Sequence, residues 1–241
     1  ALENAIKPNT SMIWVETPSN PHLKLSDIKA ISKLAHKNNA LCVVDNTWLT
    51  PVFQNPLNFD ADIVIHSTTK YFGGHSDVLG GAVVLKNEKI AQKIKSIQQL
   101  NGAVPAPFDC WLIGRGIQTL HLRVSKQSDN ALKLAQHLEK NPKIAQVNYP
   151  GLKSHPQHNL ALKQQNDGFG AMLSILIKGT KEEAFKVSTK LAYFTTATSL
   201  GGVESLVEHR RSVEGPDSLT PNNLLRISVG IEHIDDLIAD W

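Results

Sequence analysis

An amine, hydroxyls and carboxylates stand at the ends of successive apolar runs in the first third of the chain. The stretch "DIVIHSTTKYFGGHSD" (62–77) closes on Ser67, Thr69 and Lys70, and then on Gly73 and Gly74. The run "LCVVDN" closes on Asp45, and "SMIWVET" closes on Glu16 and leads to Asn20. Ligands of α/β sheets bind beyond the carboxyl ends of the strands, so neighbouring strand ends would gather these groups around one pocket.

The chemistry of that set is specific. Hydroxyls with backbone N–H groups suit a phosphate, a carboxylate suits a protonated aromatic nitrogen, and an amine suits a carbonyl carbon. Pyridoxal phosphate (PLP) makes all three demands at once, with a Schiff-base lysine and an aspartate on the ring nitrogen as the protein parts. Taken singly, Asp45 reads equally as a helix cap and Lys70 as a solvated lysine. Their order, a carboxylate followed one βα unit later by hydroxyl-x-hydroxyl-Lys, carries the reading. Strand alternation turns Thr68 away from the pocket, and Gly73 and Gly74 let the backbone turn close beside the cofactor.

Other chemistries fail on spacing. The chain has no GxxxxGK[ST], "GFGAML" lacks the third glycine of a dinucleotide loop, and "GGVES" is not a GxSxG elbow. His155 and His158 are three apart but have no acidic or cysteine neighbour, so no metal is expected.

The elements that must hold these groups alternate in the first half. "SMIWVET", "LCVVDN", "DIVIHS" and "LGGAVVLK" read as strands. "SDIKAISKLAHKNNA" reads as a helix with Ile28, Ile31, Leu34 and Ala35 on one face, and "NEKIAQKIKSIQQLNG" as another ended by Gly102. Apolar strands separated by helices predict a mostly parallel sheet covered on both faces. Residues 104–142 read mostly as helix. Beyond about residue 140 the pattern is α+β, with strands at "GAMLSILIKG" and "LLRISVGIE" and helices at "TKEEAFKVSTKLA" and "IDDLIADW". The polar stretch 209–223 reads as a loop. The expected division is 1–125 for a PLP-binding part and 126–241 for the connecting helix with a smaller domain.

The stretches "VETPSNP", "VVDNTWLTPVFQNPL", "ADIVIHSTTKYFGGHSDVLGG" and "SLGGVESL…LLRISVGIE" resemble the Cys/Met-metabolism family of PLP enzymes. That family includes cystathionine γ-synthase, cystathionine γ- and β-lyases and methionine γ-lyase. The resemblance covers essentially the whole chain. It implies a fold-type I PLP-dependent transferase: a large α/β domain with a mostly parallel sheet flanked by helices, plus a smaller α+β C-terminal domain. It also implies a homotetramer assembled as a dimer of dimers. Carried onto this sequence, Lys70 would hold PLP and move a proton, Asp45 would pair with the ring nitrogen, and Ser67 and Thr69 would bind the phosphate. Arg226 would clamp the substrate α-carboxylate, a task suited to its planar fork. Asn20 would contact cofactor and carboxylate, Ser199 would position Lys70, and Glu16 matches a position of the family behind these.

The implied activity is elimination or replacement at Cβ or Cγ of cystathionine or a homoserine ester, of the γ-synthase or γ-lyase kind, with β-lyase or methionine γ-lyase as the alternative. The family's N-terminal part is expected to lie outside this sequence, and with it the ring-stacking aromatic residue and part of the phosphate cradle. The 241 residues alone are therefore expected to bind PLP weakly, and an inactive chain that only packs against a partner is a reading from another class. Thr198 stands where many γ-synthases and γ-lyases have glutamate, which removes a charge from the distal substrate pocket. Arg210 or Arg211 then reads either as a distal anion contact or as part of a solvated loop.

Bulk properties agree with a globular enzyme. The 241 residues are 41% hydrophobic and 20% charged, with a net charge of +3 spread along the chain. Nothing concentrates Lys and Arg as nucleic acid or an anionic membrane would require. Cys42 and Cys110 form no CxxC pair, and no apolar run reaches membrane-spanning length, so a reducing, cytoplasmic setting is expected.

Overall fold

A computed structural model describes residues 2–215 and 217–241. Ala1, and Pro216 of the predicted 209–223 loop, lie outside the described residues.

The first sheet orders its strands β1-β2-β3-β4. Strands β1 (Met12–Glu16), β2 (Leu41–Asp45) and β3 (Ile63–Ser67) run parallel, and β4 (Gly81–Leu85) closes the edge antiparallel to β3. Helix α1 (Ile28–Lys37) starts where the Asp27 side chain accepts from Ala30 N at 2.9 Å, which satisfies one of the unpaired N–H groups of the first turn. It buries Ile28 and Ala35 against Ile13, Cys42 and Val44. Register puts Met12, Trp14, Glu16, Asp45, Ile65 and Ser67 in rows on the opposite face.

On that face Val43 and Ile63 are buried, while Trp14 is 56% and Val83 44% exposed; on the α1 side Val84 of the edge strand is 43% exposed. Next come the short α2 (Thr50–Phe53), then α3 (Glu88–Asn101), which ends at Gly102 with φ +65°. Helix α4 (Pro107–Gln118) leads to α5 (Leu120–Leu138).

The second sheet has strands β5 (Ile144–Asn148), β6 (Met172–Ile177), β7 (Thr195–Thr196), β8 (Leu206–His209) and β9 (Leu224–Ser228), in the order β5-β6-β9-β8-β7. All its pairs are antiparallel except β7–β8. Around it lie α6 (His158–Gln164), α7 (Lys181–Ser188), α8 (Arg210–Glu214) and α9 (Ile234–Ala239). Ala131, Leu134, Ala135 and Leu138 of α5 form one core with Leu173, Ile175, Val207, Leu225 and Ile227. Sequence periodicity finds β6 and β9 but misses three strands. "IAQVN" and "LVEH" are short and carry polar residues, and β7 has only two residues.

A separate apolar cluster joins the sheets: Trp48, Leu49, Phe53, Tyr71, Leu120, Val124, Met172 and Leu200 pack together. It seats the residue after Lys70 and the residue after Ser199 in one core, and so sets the two neighbours side by side.

Candidate active site

Lys70 lies in a wound turn, Thr68–Phe72, that follows β3 directly, and its own backbone (φ −90°, ψ −124°) breaks the winding. Gly73 N donates to Thr68 O at 2.9 Å and Gly74 N to Lys70 O at 2.8 Å, which closes the turn. Gly74 takes φ +73°, and a Cβ there would fall on the Arg123 guanidinium. Arg123, 6% exposed, donates to Tyr71 O (2.9 Å) and Gly116 O (2.7 Å), tying α5 to the lysine turn. These close approaches, rather than a turn alone, explain the glycine. Thr68 is buried while Ser67 and Thr69 stay half-buried.

The lysine points out of this turn toward the second sheet. Its Nζ donates to Ser199 Oγ at 2.8 Å, and Ser199 holds φ +81° just before the buried Leu200. The Ser199 carbonyl accepts from Arg226 Nη2 at 2.9 Å, and Arg226 Nη1 reaches Asn20 Oδ1 at 3.4 Å. Lys70, Ser199, Arg226 and Asn20 are thus linked across both sheets. Partial burial and then the Arg226 charge push the Lys70 amine below its usual range, while Glu208 pulls the other way. An amine held this way sheds its proton more readily, as an imine-forming group requires.

Asp45 belongs to a second linked set. Its Oδ1 accepts from Thr47 N at 2.9 Å, and Thr47 Oγ1 accepts from Ser67 N at 2.8 Å. Glu16 stands opposite Asp45 in the β1–β2 register. Desolvation at the crowded strand ends and then the Asp45 charge raise the Glu16 carboxyl, although the residue as a whole reaches solvent, and Arg210 and Arg226 oppose the rise. Thr69 Oγ1 accepts from Gly80 N at 3.0 Å. Beneath the sheet, His66 is 4% exposed and stacks on Phe72 at 4.8 Å; burial lowers its imidazole to about 4, against the pull of Asp45.

Buried amides hold the strand ends in place. Asn46 donates to the carbonyls of Thr50 and Gln54, and Gln54 Nε2 donates to Asn46 Oδ1 at 2.8 Å and to Thr17 O at 3.2 Å. Gln164 of α6 donates to Gln54 Oε1 at 3.0 Å and accepts from Ile28 N at 2.9 Å. The loop that carries Asn20 is thereby anchored to the second sheet's helices. Thr69, Thr198 and Ser199 line an open cleft of about 860 Å³ together with Val78 and Leu79. Thr198 is exposed in it.

The two loop arginines both have partners within the protein. Arg211 Nη1 donates to Thr220 O at 3.0 Å and also to Ser218 O, which staples the loop to itself. Arg210 pairs with Glu214 at 2.7 Å and approaches Glu208 at 3.5 Å, so its charge is met within the protein. His155 and His158 are likewise engaged with loop backbone: Gln157 N donates to His155 Nδ1, and His158 Nδ1 lies 2.8 Å from Pro150 O.

Sequence reasoning missed Glu208, Thr47, Arg123 and the Asn46–Gln54–Gln164 amides. Glu208, Arg123, Gln54 and Gln164 act through partners remote in sequence; Asn46 bonds to the nearby Thr50 and Gln54, and Thr47, two residues after Asp45, is a local signal that could have been used.

Does this set suit PLP? The donor chemistry fits. An amine with depressed basicity, a strand-end carboxylate, two hydroxyls on and beside one sheet face, and an Arg–Asn pair match an aldehyde, a ring nitrogen, a phosphate and a substrate carboxylate in turn. The profile of the family described as "Cys/Met metabolism PLP-dependent enzyme" matches residues 1–241. The chain belongs to the Cys/Met metabolism PLP-dependent enzyme family.

Members of that family match along this whole chain. It is 46% identical over 245 residues to a cystathionine gamma-synthase of Mycobacterium bovis, covering 100% of this chain and 63% of the relative. It is 45% identical to a cystathionine gamma-lyase of Dictyostelium discoideum and 45% identical to a cystathionine beta-lyase of Coxiella burnetii, in each case covering 99% of this chain and 64% of the relative. Among solved structures, metB from Corynebacterium glutamicum superposes with a TM-score of 0.95 at 46% identity, covering 99% of this chain and 63% of that one. The chain therefore spans just under two thirds of the length of these relatives, and its fold-type I α/β architecture is theirs.

Proposed function

We propose that the protein is a PLP-dependent enzyme of sulfur amino-acid metabolism, acting by elimination or replacement at Cβ or Cγ of cystathionine or a homoserine ester, of the cystathionine γ-synthase or γ-lyase kind. The observation that carries this reading is the contact of Lys70 Nζ with Ser199 Oγ, continued through Ser199 O to the Arg226 fork. It sets an amine with depressed basicity beside a carboxylate clamp, the pairing an amino-acid substrate requires.

PLP, when bound, supplies an electron sink for the charge left on Cα once its proton is removed. Lys70 would carry the cofactor, and its amine, once free of it, would take the proton from Cα and return it. Ser199 Oγ holds the Lys70 amine in place. Arg226 and Asn20 grip the α-carboxylate, Asp45 keeps the ring nitrogen protonated, and Ser67 and Thr69 take the phosphate. Thr198 borders the distal part of the substrate without adding charge. The reading includes a homo-oligomer built as a dimer of dimers, cytoplasmic location, and a division into 1–125 and 126–241.

Cystathionine β-lyase chemistry is the second reading, because a relative of that name is as similar as those named for γ-chemistry. The deciding experiment gives the PLP-loaded protein cystathionine, then O-succinyl- or O-acetylhomoserine with cysteine, then methionine, and separates the products. Cysteine with 2-oxobutyrate marks γ-cleavage of cystathionine, and homocysteine with pyruvate marks β-cleavage. Borohydride reduction should place the pyridoxyl group on Lys70. A label on another residue, or turnover surviving in Lys70→Ala, would overturn the mechanism. Absence of any turnover with PLP bound would favour the packing-partner reading.

A further inference from the structure

The most unusual charge placement near the lysine is Glu208, a carboxylate 4% exposed in the middle of the second sheet. Register puts it directly opposite Arg226 on neighbouring strands, β8 against β9. Its Oε2 lies 2.5 Å from Arg226 Nη2, and Arg226 is equally buried. Neither Glu208 oxygen receives a well-aligned hydrogen bond among the described residues, so charge rather than hydrogen-bond geometry holds the pair. A buried ion pair of this kind returns little net stability against its desolvation cost, and stability alone does not account for it.

We propose that Glu208 is a positioning residue that sets both the aim and the effective charge of the Arg226 clamp. This rests on the reading of the site given above.

The aim follows from the crowding of one end of the fork. Nη2 donates to the Ser199 carbonyl at 2.9 Å and lies 2.5 Å from the Glu208 carboxylate, which holds that end by charge. What an incoming carboxylate meets is the Nη1 edge, beside Asn20. A fork closed on one side accepts a planar carboxylate in one orientation, and Ser199, which closes that side, also holds Lys70. Aim of the clamp and placement of the amine are thus coupled through one residue.

The charge follows from the neighbours. Arg226 and Arg210 are matched by Glu208 and Glu214 in a chain that runs from the clamp to the loop: Arg226 to Glu208 at 2.5 Å, Glu208 to Arg210 at 3.5 Å, and Arg210 to Glu214 at 2.7 Å. Two cations and two anions cancel. Other groups also act on this set: Glu16 faces Arg210 and Arg226 from β1, and the Tyr71 ring lies close enough to Arg226 to act on it. Glu208 is the anion of the set that acts on Lys70, opposing Arg226. Without it the Arg226 charge would bear on the lysine unopposed.

The test uses two near-isosteric variants and a readout that needs no turnover. The pH dependence of Lys70 acylation is followed on the cofactor-free protein by peptide mapping. In Glu208→Gln the midpoint should fall by about one pH unit, the scale of a near charge lost from a half-buried site. Glu208→Asp keeps the charge and should restore the wild-type midpoint. With PLP and the best amino-acid substrate, Glu208→Gln should raise KM about tenfold and change kcat less, the mark of lost ground-state binding by the clamp. A folded Glu208→Gln protein with wild-type KM and an unmoved Lys70 midpoint overturns the proposal. If instead the wild type turns over no substrate, the reading of the function fails, while the acylation midpoint still tests Glu208.

Discussion

Gly201 offers a strict test of how the lysine is placed. Its φ is +86°, and a Cβ built there would stand 2.8 Å from Tyr71 N, 3.0 Å from Lys70 C and 3.2 Å from Lys70 Cα. All three neighbours are backbone, so no side chain can swing aside. Gly201→Ala therefore has two costs. The left-handed conformation costs an L-residue about 1–2 kcal/mol, and forcing packed backbone apart adds about 1–3 kcal/mol. At about 2–4 °C per kcal/mol for a chain of this size, Tm should fall by about 4–20 °C. Restoring the ordinary 3.4 Å contact needs a movement of about 0.6 Å at the Lys70–Tyr71 peptide. Since a displacement of about 1 Å can cost 10²-fold in rate, turnover should fall by about tenfold. The assay is product formation at saturating PLP, paired with calorimetry. Gly102→Ala is the control: φ there is +65° with nothing within 4 Å of the added Cβ, so it has the conformational cost alone. If Gly201→Ala matches Gly102→Ala in both Tm and turnover, the argument from close approach is wrong.

Other expectations follow from single buried groups. His66 is held neutral in the fold with its imidazole at about 4 against an ordinary 6.5, so the unfolded chain binds the proton more readily. Stability should therefore be full above pH 6.5 and decline as pH falls toward 4, by about 3 kcal/mol, and His66→Phe should flatten that decline in a Tm-versus-pH series. Thr47→Val keeps the shape but leaves Ser67 N and its 2.8 Å bond without an acceptor; urea unfolding should show a loss of about 1–3 kcal/mol, and PLP titration should show weaker binding. Gln54→Ala removes the amide shared by Asn46, Thr17 and Gln164. It should destabilise by about 2–4 kcal/mol through cavity and unpaired polar groups, and KM should rise more than kcat falls, because the Asn20 loop loosens.

Local chemistry in the sequence went far. The order Asp45, Ser67, Thr69, Lys70 is legible because strand ends in a parallel sheet are local features, and period-two and period-3.6 patterns mark where they fall. Most of the large helices and the four strands of the first sheet were read from such patterns, and the resemblance to the family extended the set to Arg226, Asn20 and Ser199. What stayed hidden was whatever depends on a neighbour remote in the chain. "LVEH" gives no sign that its glutamate lies across from Arg226, since that partnership comes from the β8–β9 register. "HRRSVEG" offered two arginines to a distal substrate group, and folding matched both within the protein.

The sequence by itself determined which chemical groups this protein possesses and the order in which the strands present them. Only the tertiary structure decided which of those groups meet. Lys70 and Ser199 are 129 residues apart, and what joins them is the packing of Tyr71 and Leu200 into one apolar cluster. Burial of that kind is non-directional and sums over many distant side chains, so no short stretch of sequence carries its outcome.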